Sequence, residues 1–215
     1  MRRKFIYFSA AFLVITSKSA IAADIAIPAF KAAPTGFNWS GCYIGAQAGG
    51  GVMNDSFTSR NGFGGLLGGQ GGCNYQLQAT PVIIGLEGEG WASSISNENL
   101  IAGISDTKTS NRWDTDVDLR VGLAIIDRVM SYAKGGVAWG NYAYSGTTLT
   151  GNATLPGLLI GGGVEYAFTQ TLIGRVEYDS IFDRGTVSYS GIGAFTGTES
   201  ATKQVIKVGV SYLFH

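Results

Sequence analysis

The sequence predicts an all-β chain folded as an eight-stranded antiparallel up-and-down transmembrane β-barrel. Three observations predict it. Eight segments of alternating or glycine-rich β character follow one another from Trp39 onward, and the connections between them alternate long and short. The alternation also sets charged residues on one face of a strand and apolar residues on the other. Composition agrees: 33 glycines with only 4 prolines penalise helices, whereas 10 Tyr, 11 Phe and 4 Trp favour strands. Beyond the N-terminal region no stretch approaches the about 18 consecutive apolar residues of a membrane helix.

Taken in order, residues 1–22 read as a signal peptide. Arg2, Arg3 and Lys4 precede an uncharged run from Phe5 to Ile15, and Ala20-Ile21-Ala22 supplies the small residues a signal peptidase reads. That run is too short for the about 20 residues of a membrane span. Cleavage after Ala22 removes Arg2, Arg3, Lys4 and Lys18, leaving 11 basic against 15 acidic residues, a net charge of −4. Such a chain does not invite nucleic acid. Residues 23–38, with Pro28 and Pro34, show neither period and read as a periplasmic lead-in. Residues 39–215 form the barrel.

Strands are expected at 39–51, 62–77, 82–92, 113–124, 129–140, 158–167, 172–181 and 204–214. The connections are 52–61, 93–112, 141–157 and 182–203, all long, alternating with 78–81, 125–128 and 168–171, all short. Outer-membrane barrels keep short turns in the periplasm and long loops outside, so both termini are expected in the periplasm. The fourth strand shows the faces best: Trp113, Thr115, Val117, Leu119 and Val121 lie opposite Asp114, Asp116, Asp118 and Arg120. Trp113 and Trp139 then face lipid near the outer ends of their strands, and Tyr166, Tyr212 and Phe214 near the periplasmic ends, as two aromatic girdles.

The inward set is Glu87, Glu89, Asp114, Asp116, Asp118, Glu165, Glu177 and Asp179 against Arg120, Lys134, Arg175 and Lys207. Buried charges must pair. Glu165 and Arg175 fall opposite one another across 168–171 and are expected to pair. Arg120 and Lys134 meet as like charges and need carboxylates from across the lumen. Eight strands leave an interior just wide enough for side chains, which favours a salt-bridge plug over an ion path. Catalysis is poorly supported, because the only histidine is the last residue, which leaves only carboxylate hydrolysis through Glu87, Glu89 or Glu177, and no metal site is expected. Cys42 and Cys73 fall side by side on the outward face of the first hairpin, as a candidate disulfide or as two lipid-facing thiols.

The motifs Trp39-Ser40-Gly41-Cys42-Tyr43-Ile44-Gly45, Gly62-Phe63-Gly64-Gly65, Gly135-Gly136-Val137-Ala138, Gly163-Val164-Glu165-Tyr166 and Val208-Gly209-Val210-Ser211-Tyr212-Leu213-Phe214 occur in that order. The chain thereby resembles the alphaproteobacterial small outer-membrane β-barrel family. That family includes Brucella-type surface antigens and Bartonella-type hemin-binding proteins, related to opacity-type and outer-membrane-protein-A-like barrels. The resemblance implies a surface-exposed structural barrel of the bacterial outer membrane whose loops meet the environment or host. Its implied partners are outer-membrane lipid and lipopolysaccharide, the barrel-assembly machinery, and host surface molecules or haem. Haem is the one cofactor the resemblance offers. With no internal histidine, Tyr142, Tyr144 or Tyr189 would have to contact it. A narrow porin for small solutes is the other reading. The sequence departs from the family in placing His215 after the usual final aromatic, here Phe214.

Overall fold

The computed structural model describes residues 36–55, 61–100, 106–146, 149–191 and 194–215. The signal peptide of 1–22 and lead-in residues 23–35 lie outside them. The strands are β1 (Gly41–Asp55), β2 (Asn61–Gln76), β3 (Val82–Ser93), β4 (Ser96–Leu100), β5 (Asp106–Ile126), β6 (Val129–Ser145), β7 (Leu149–Ala167), β8 (Leu172–Gly191) and β9 (Phe195–Phe214). Each pairs antiparallel with its neighbours, and β1 pairs with both β2 and β9, which closes the sheet on itself.

Among these nine, β3 and β4 are two halves of one wall strand. Where they part, Ser94 N donates to Gly65 O and Asn111 N donates to Ile95 O, so the neighbouring strands remain stitched across the break. The barrel thus has the eight walls predicted. A row of ladder partners that starts at Cys42 passes Leu119 and Ser180 and returns to β1 at Val52, a stagger of 52 − 42 = 10 residues. Eight strands with that stagger tilt by about 40°.

Side chains alternate across the wall as a pleated strand requires. Ile44, Leu86, Leu119, Val121, Ile160, Val176, Ile206 and Val208 face outward and exposed. Asp118, Arg120, Lys134, Arg175, Glu177 and Lys207 are buried inside. Corrected for the stagger, most outward aromatics fall into two belts roughly 24 Å apart, with Tyr178 exposed between them. One, at the end holding both strand termini (the terminal end), contains Tyr75, Tyr166, Tyr212 and Phe214; the other, toward the distal end, contains Trp113, Trp139 and Phe182. Their separation matches the apolar band of an outer-membrane barrel, about 25 Å tall.

The expected long loops are corrected. Residues 106–112, 141–145, 149–157, 182–191 and 195–203 are strand rather than loop, paired out to Lys108↔Ser145, Leu149↔Gly191 and Tyr189↔Phe195. The strands continue past the distal belt because their inward residues still bury apolar surface there: Tyr142, Tyr144, Leu155, Val187 and Tyr189 are all closed off from solvent. Besides the β3–β4 break, the wall has two irregularities near that belt. A bulge between Asn111 and Trp113 leaves Arg112 without a partner on β6. The β7–β8 ladder lapses between Gly151↔Tyr189 and Gly157↔Asp183, an interval containing Pro156, which has no N–H to donate.

Candidate functional site

The lumen is filled in three layers. At the terminal end, the residues just before β1 turn inward, and Phe37 and Trp39 join Tyr43, Ile83, Met130, Tyr132, Ala167, Ile173 and Leu213 in one apolar cluster. Trp39 is 1% exposed. Its N–H donates to Gln76 Oε1 at 3.3 Å, and Phe37 N–H donates to Asp127 Oδ1 at 3.0 Å, which anchors this segment to two turns. Sequence reasoning assigned Trp39 to the first strand and Phe37 to a flexible lead-in. The available signal was parity, since 37, 39 and 43 all share the inward face.

The middle layer is ionic. Arg120 donates to Tyr43 OH (2.7 Å), Glu87 (3.1 Å) and Glu165 (2.6 Å), with its guanidinium 3.9 Å from the centre of the Tyr132 ring. Arg175 donates to Glu87 (2.6 Å), Gln47 (2.9 Å) and Glu89. Lys134 lies within ion-pair distance of Glu87, Glu89, Asp118, Glu177 and Asp179. Lys207 pairs with Glu89, with Glu177 (2.7 Å) and with Asp179 (2.6 Å), and sits 4.5 Å from the Trp91 ring centre. The hydroxyls of Tyr43 and Tyr132 donate to Glu87 and Glu177, each at 2.5 Å.

One expected pair does not form. Glu165 and Arg175 are direct ladder partners, yet Glu165 pairs with Arg120 while Arg175 reaches Glu87 and Glu89. Inward side chains of a narrow barrel converge on its axis, so they can reach residues two or more strands away as well as a direct ladder partner such as Glu177 of Lys207. Arg120 and Lys134 do face each other across their hairpin, and the carboxylates that separate them come from β3, β7 and β8.

The inward glycines make room for this network. A Cβ on Gly161 would lie 1.9 Å from an Asp179 oxygen, and one on Gly136 would lie 2.3 Å from an Asp118 oxygen. Much of the glycine content thus pairs a bare backbone with a charged cross-strand neighbour.

Supply of cations is short: ten buried carboxylates face five buried cations. Asp116, 1% exposed, is left with neither oxygen hydrogen-bonded and with no ion pair among the described residues. Glu87, Glu89 and Glu177 come close enough together to suggest a metal cluster. Lys134 Nζ, however, lies 3.8, 3.3 and 3.0 Å from their oxygens, so an ammonium occupies the position a shared cation would take.

The distal layer begins with Lys203, bridging Asp114, expected inward on the fourth strand, and Asp183 (3.0 Å), which like Lys203 lies in the span expected to be loop. The distal apolar cluster contains Met53, Leu66, Trp91, Ile95, Leu155, Val187, Tyr144, Tyr189 and Val205. The tyrosines considered for haem are part of this seal. Tyr142 is fully buried and donates to Asp183, Tyr189 donates to Glu199 at 2.9 Å, and Tyr144 packs edge-on against Tyr189 at 5.6 Å.

On the outer surface, Cys42 and Cys73 are ladder partners joined by a disulfide, in register with Phe214 at the terminal belt. His215 is exposed and its ring contacts the Gln170 carbonyl at 2.9 Å.

A closed sheet, lipid-facing apolar residues between two aromatic belts, and a charged interior define an outer-membrane β-barrel protein. The comparisons carry this to a family: residues 10–214 match the outer membrane protein beta-barrel domain, and the chain belongs to that family. It is 29% identical to the 31 kDa outer-membrane immunogenic protein of Brucella melitensis over 91% of this chain and 94% of that protein. It is 30% identical to the 22 kDa outer membrane protein of Rhizobium leguminosarum over 66% of this chain and 63% of that one. Among solved structures, Neisserial surface protein A shares the fold, with a TM-score of 0.52 and 17% identity, covering 81% of this chain and 98% of that one.

Proposed function

We propose that the protein is a structural surface barrel. It spans the outer membrane with a sealed lumen and holds rigid hairpins above the outer leaflet for contact with the environment or host. The observation that carries this reading is the filled interior: an ionic layer between two apolar seals, continued upward into paired strands that stand clear of the distal aromatic belt. In this reading the terminal end, with its short turns at 77–81, 127–128 and 168–171, faces the periplasm. The lumenal carboxylates serve structure rather than catalysis, since lysine and arginine occupy them and no histidine lies inside. The Brucella relative, named as immunogenic, supports surface exposure.

Limited proteolysis of intact cells tests the orientation. Cleavage confined to the distal hairpins, with the heat-sensitive compact migration of the barrel retained in gels, is the expected result. Cleavage at the 77–81 or 168–171 turns in unbroken cells would reverse the assignment.

A further inference from the structure

Strands β1 and β2 lie side by side with almost no side-chain pairing. From Tyr43↔Gly72 to Gly51↔Gly64 their ladder has nine pairs, and eight of them contain a glycine, Ala48↔Leu67 being the exception. The β8–β9 ladder, by contrast, sets Val176 against Val208, Glu177 against Lys207 and Tyr178 against Ile206. Cross-strand side-chain pairs fix a register, and glycine-rich strands specify it weakly. A slip of two residues keeps each side chain on its own face, so the division into apolar outside and charged inside does not oppose it.

The contacts that do hold the pairing lie at its ends or reach other strands. Val52 faces Phe63 and Asn54 donates to Asn61 at the distal end, and Trp39 and Ser40, just ahead of β1, bond to Gln76. Tyr43 donates to Glu87, Gln47 to Glu89 and Gln70 to Ser211, but these partners lie on β3 and β9 and are met only once the ring is assembled. The Cys42–Cys73 disulfide is the covalent link among them. Slipped by two residues, the cysteines would lie about 6.6 Å out of step and roughly 8 Å apart at Cα. That exceeds the about 7 Å a bridge can span, whereas their Cα atoms are 3.9 Å apart here. Because β1 also closes the ring, the same slip would change the stagger by two, from 10 to 8 or 12 residues.

We propose that the Cys42–Cys73 disulfide is a register lock, closed by oxidation in the periplasm before the hairpin enters the membrane, which selects the pairing of β1 with β2 and through it the stagger of the ring. Two thiols become one disulfide. Their two electrons and two protons pass to the disulfide of a periplasmic thiol oxidase, which is reduced to its dithiol. Oxidation comes first because a bridge closed after folding would be too late to choose the register.

The test is a trap for the slipped pairing. In Cys42→Ala/Ile44→Cys the new thiol comes opposite Cys73 only when the hairpin slips by two residues. The mature protein is refolded reduced into lipid vesicles and then treated with a lipid-soluble oxidant, and bridged molecules are counted by mass spectrometry. The control, Cys42→Ala/Cys73→Ala/Val176→Cys/Val210→Cys, sets the same offset in the β8–β9 ladder. Trapping in the β1–β2 hairpin is expected at about fivefold the control level or more. The order of oxidation gives a second reading in the unaltered protein. Oxidised before folding, every barrel carries the bridge; folded reduced and oxidised afterwards, about a fifth or more should keep two free thiols. Gel migration with and without boiling selects the folded barrels in each arm. Trapping no greater than in the control, or complete bridging of protein folded reduced, would overturn the proposal.

Discussion

The middle of the lumen and its two ends solve opposite problems. The middle buries Arg120, Lys134, Arg175 and Lys207 among carboxylates with almost no solvent contact, whereas the ends bury mainly apolar side chains, Trp39 and Phe37 at one and Tyr144, Leu155 and Val187 at the other, the distal one above a single Lys203 bridge to Asp114 and Asp183. Apolar ends exclude water from the ionic layer, which strengthens each ion pair and makes an orphaned charge costly. The difference teaches that the scarce component is cationic: each central cation serves two or more carboxylates, while a carboxylate such as Asp116 goes unserved.

Variants at the two kinds of site should therefore separate. Lys207→Met orphans Glu89, Glu177 and Asp179 together, and is expected to cost about 3–5 kcal/mol in urea unfolding from lipid vesicles. Trp39→Ala leaves a cavity in the terminal seal and should cost about 3 kcal/mol. It should not create a conducting path, since the ionic layer remains; conductance in Trp39→Ala would merge the roles of seal and network. Gly161→Ala forces Asp179 off its cations and is expected to cost about 2 kcal/mol, again by urea unfolding. Asp116→Asn should run the other way, stabilising by about 1 kcal/mol, because it replaces a buried carboxylate that has neither a hydrogen bond nor an ion pair among the described residues.

The smallest effect concerns the distal seal. Burial pushes the Tyr144 and Tyr189 hydroxyls well above their ordinary value of 10, and the bond to Glu199 adds to the rise for Tyr189. A raised pKa means the neutral form is favoured on folding, so this stabilisation is complete below about pH 10 and is lost as pH climbs toward the folded-state value. Tyrosinate absorbance of the folded barrel should therefore rise later with pH than that of the urea-unfolded chain. Coincident titrations would show the distal seal open to water.

The barrel was legible in the sequence wherever lipid dictates one face. Asp118 beside Leu119, or Arg175 beside Val176, declares inside and outside without ambiguity. Beyond the distal belt lipid no longer imposes that code, so residues 141–157 and 182–203 read as loop although they are largely strand. Lys203 and Asp183 were hidden in that span. Partner choice was illegible for another reason: Glu165 meets Arg120 and not Arg175 because contacts cross the barrel axis, linking strands that sequence spacing cannot relate. Phe37 and Trp39 were missed because a plug made from the chain preceding a strand has no period of its own.

Planar-bilayer recording from the purified, folded protein tests the sealed interior most directly. The account predicts no sizeable, stable unitary conductance in the unaltered protein. Steady single-channel openings under the same conditions would contradict it, because ions would then be passing through a layer that the account holds to be shut.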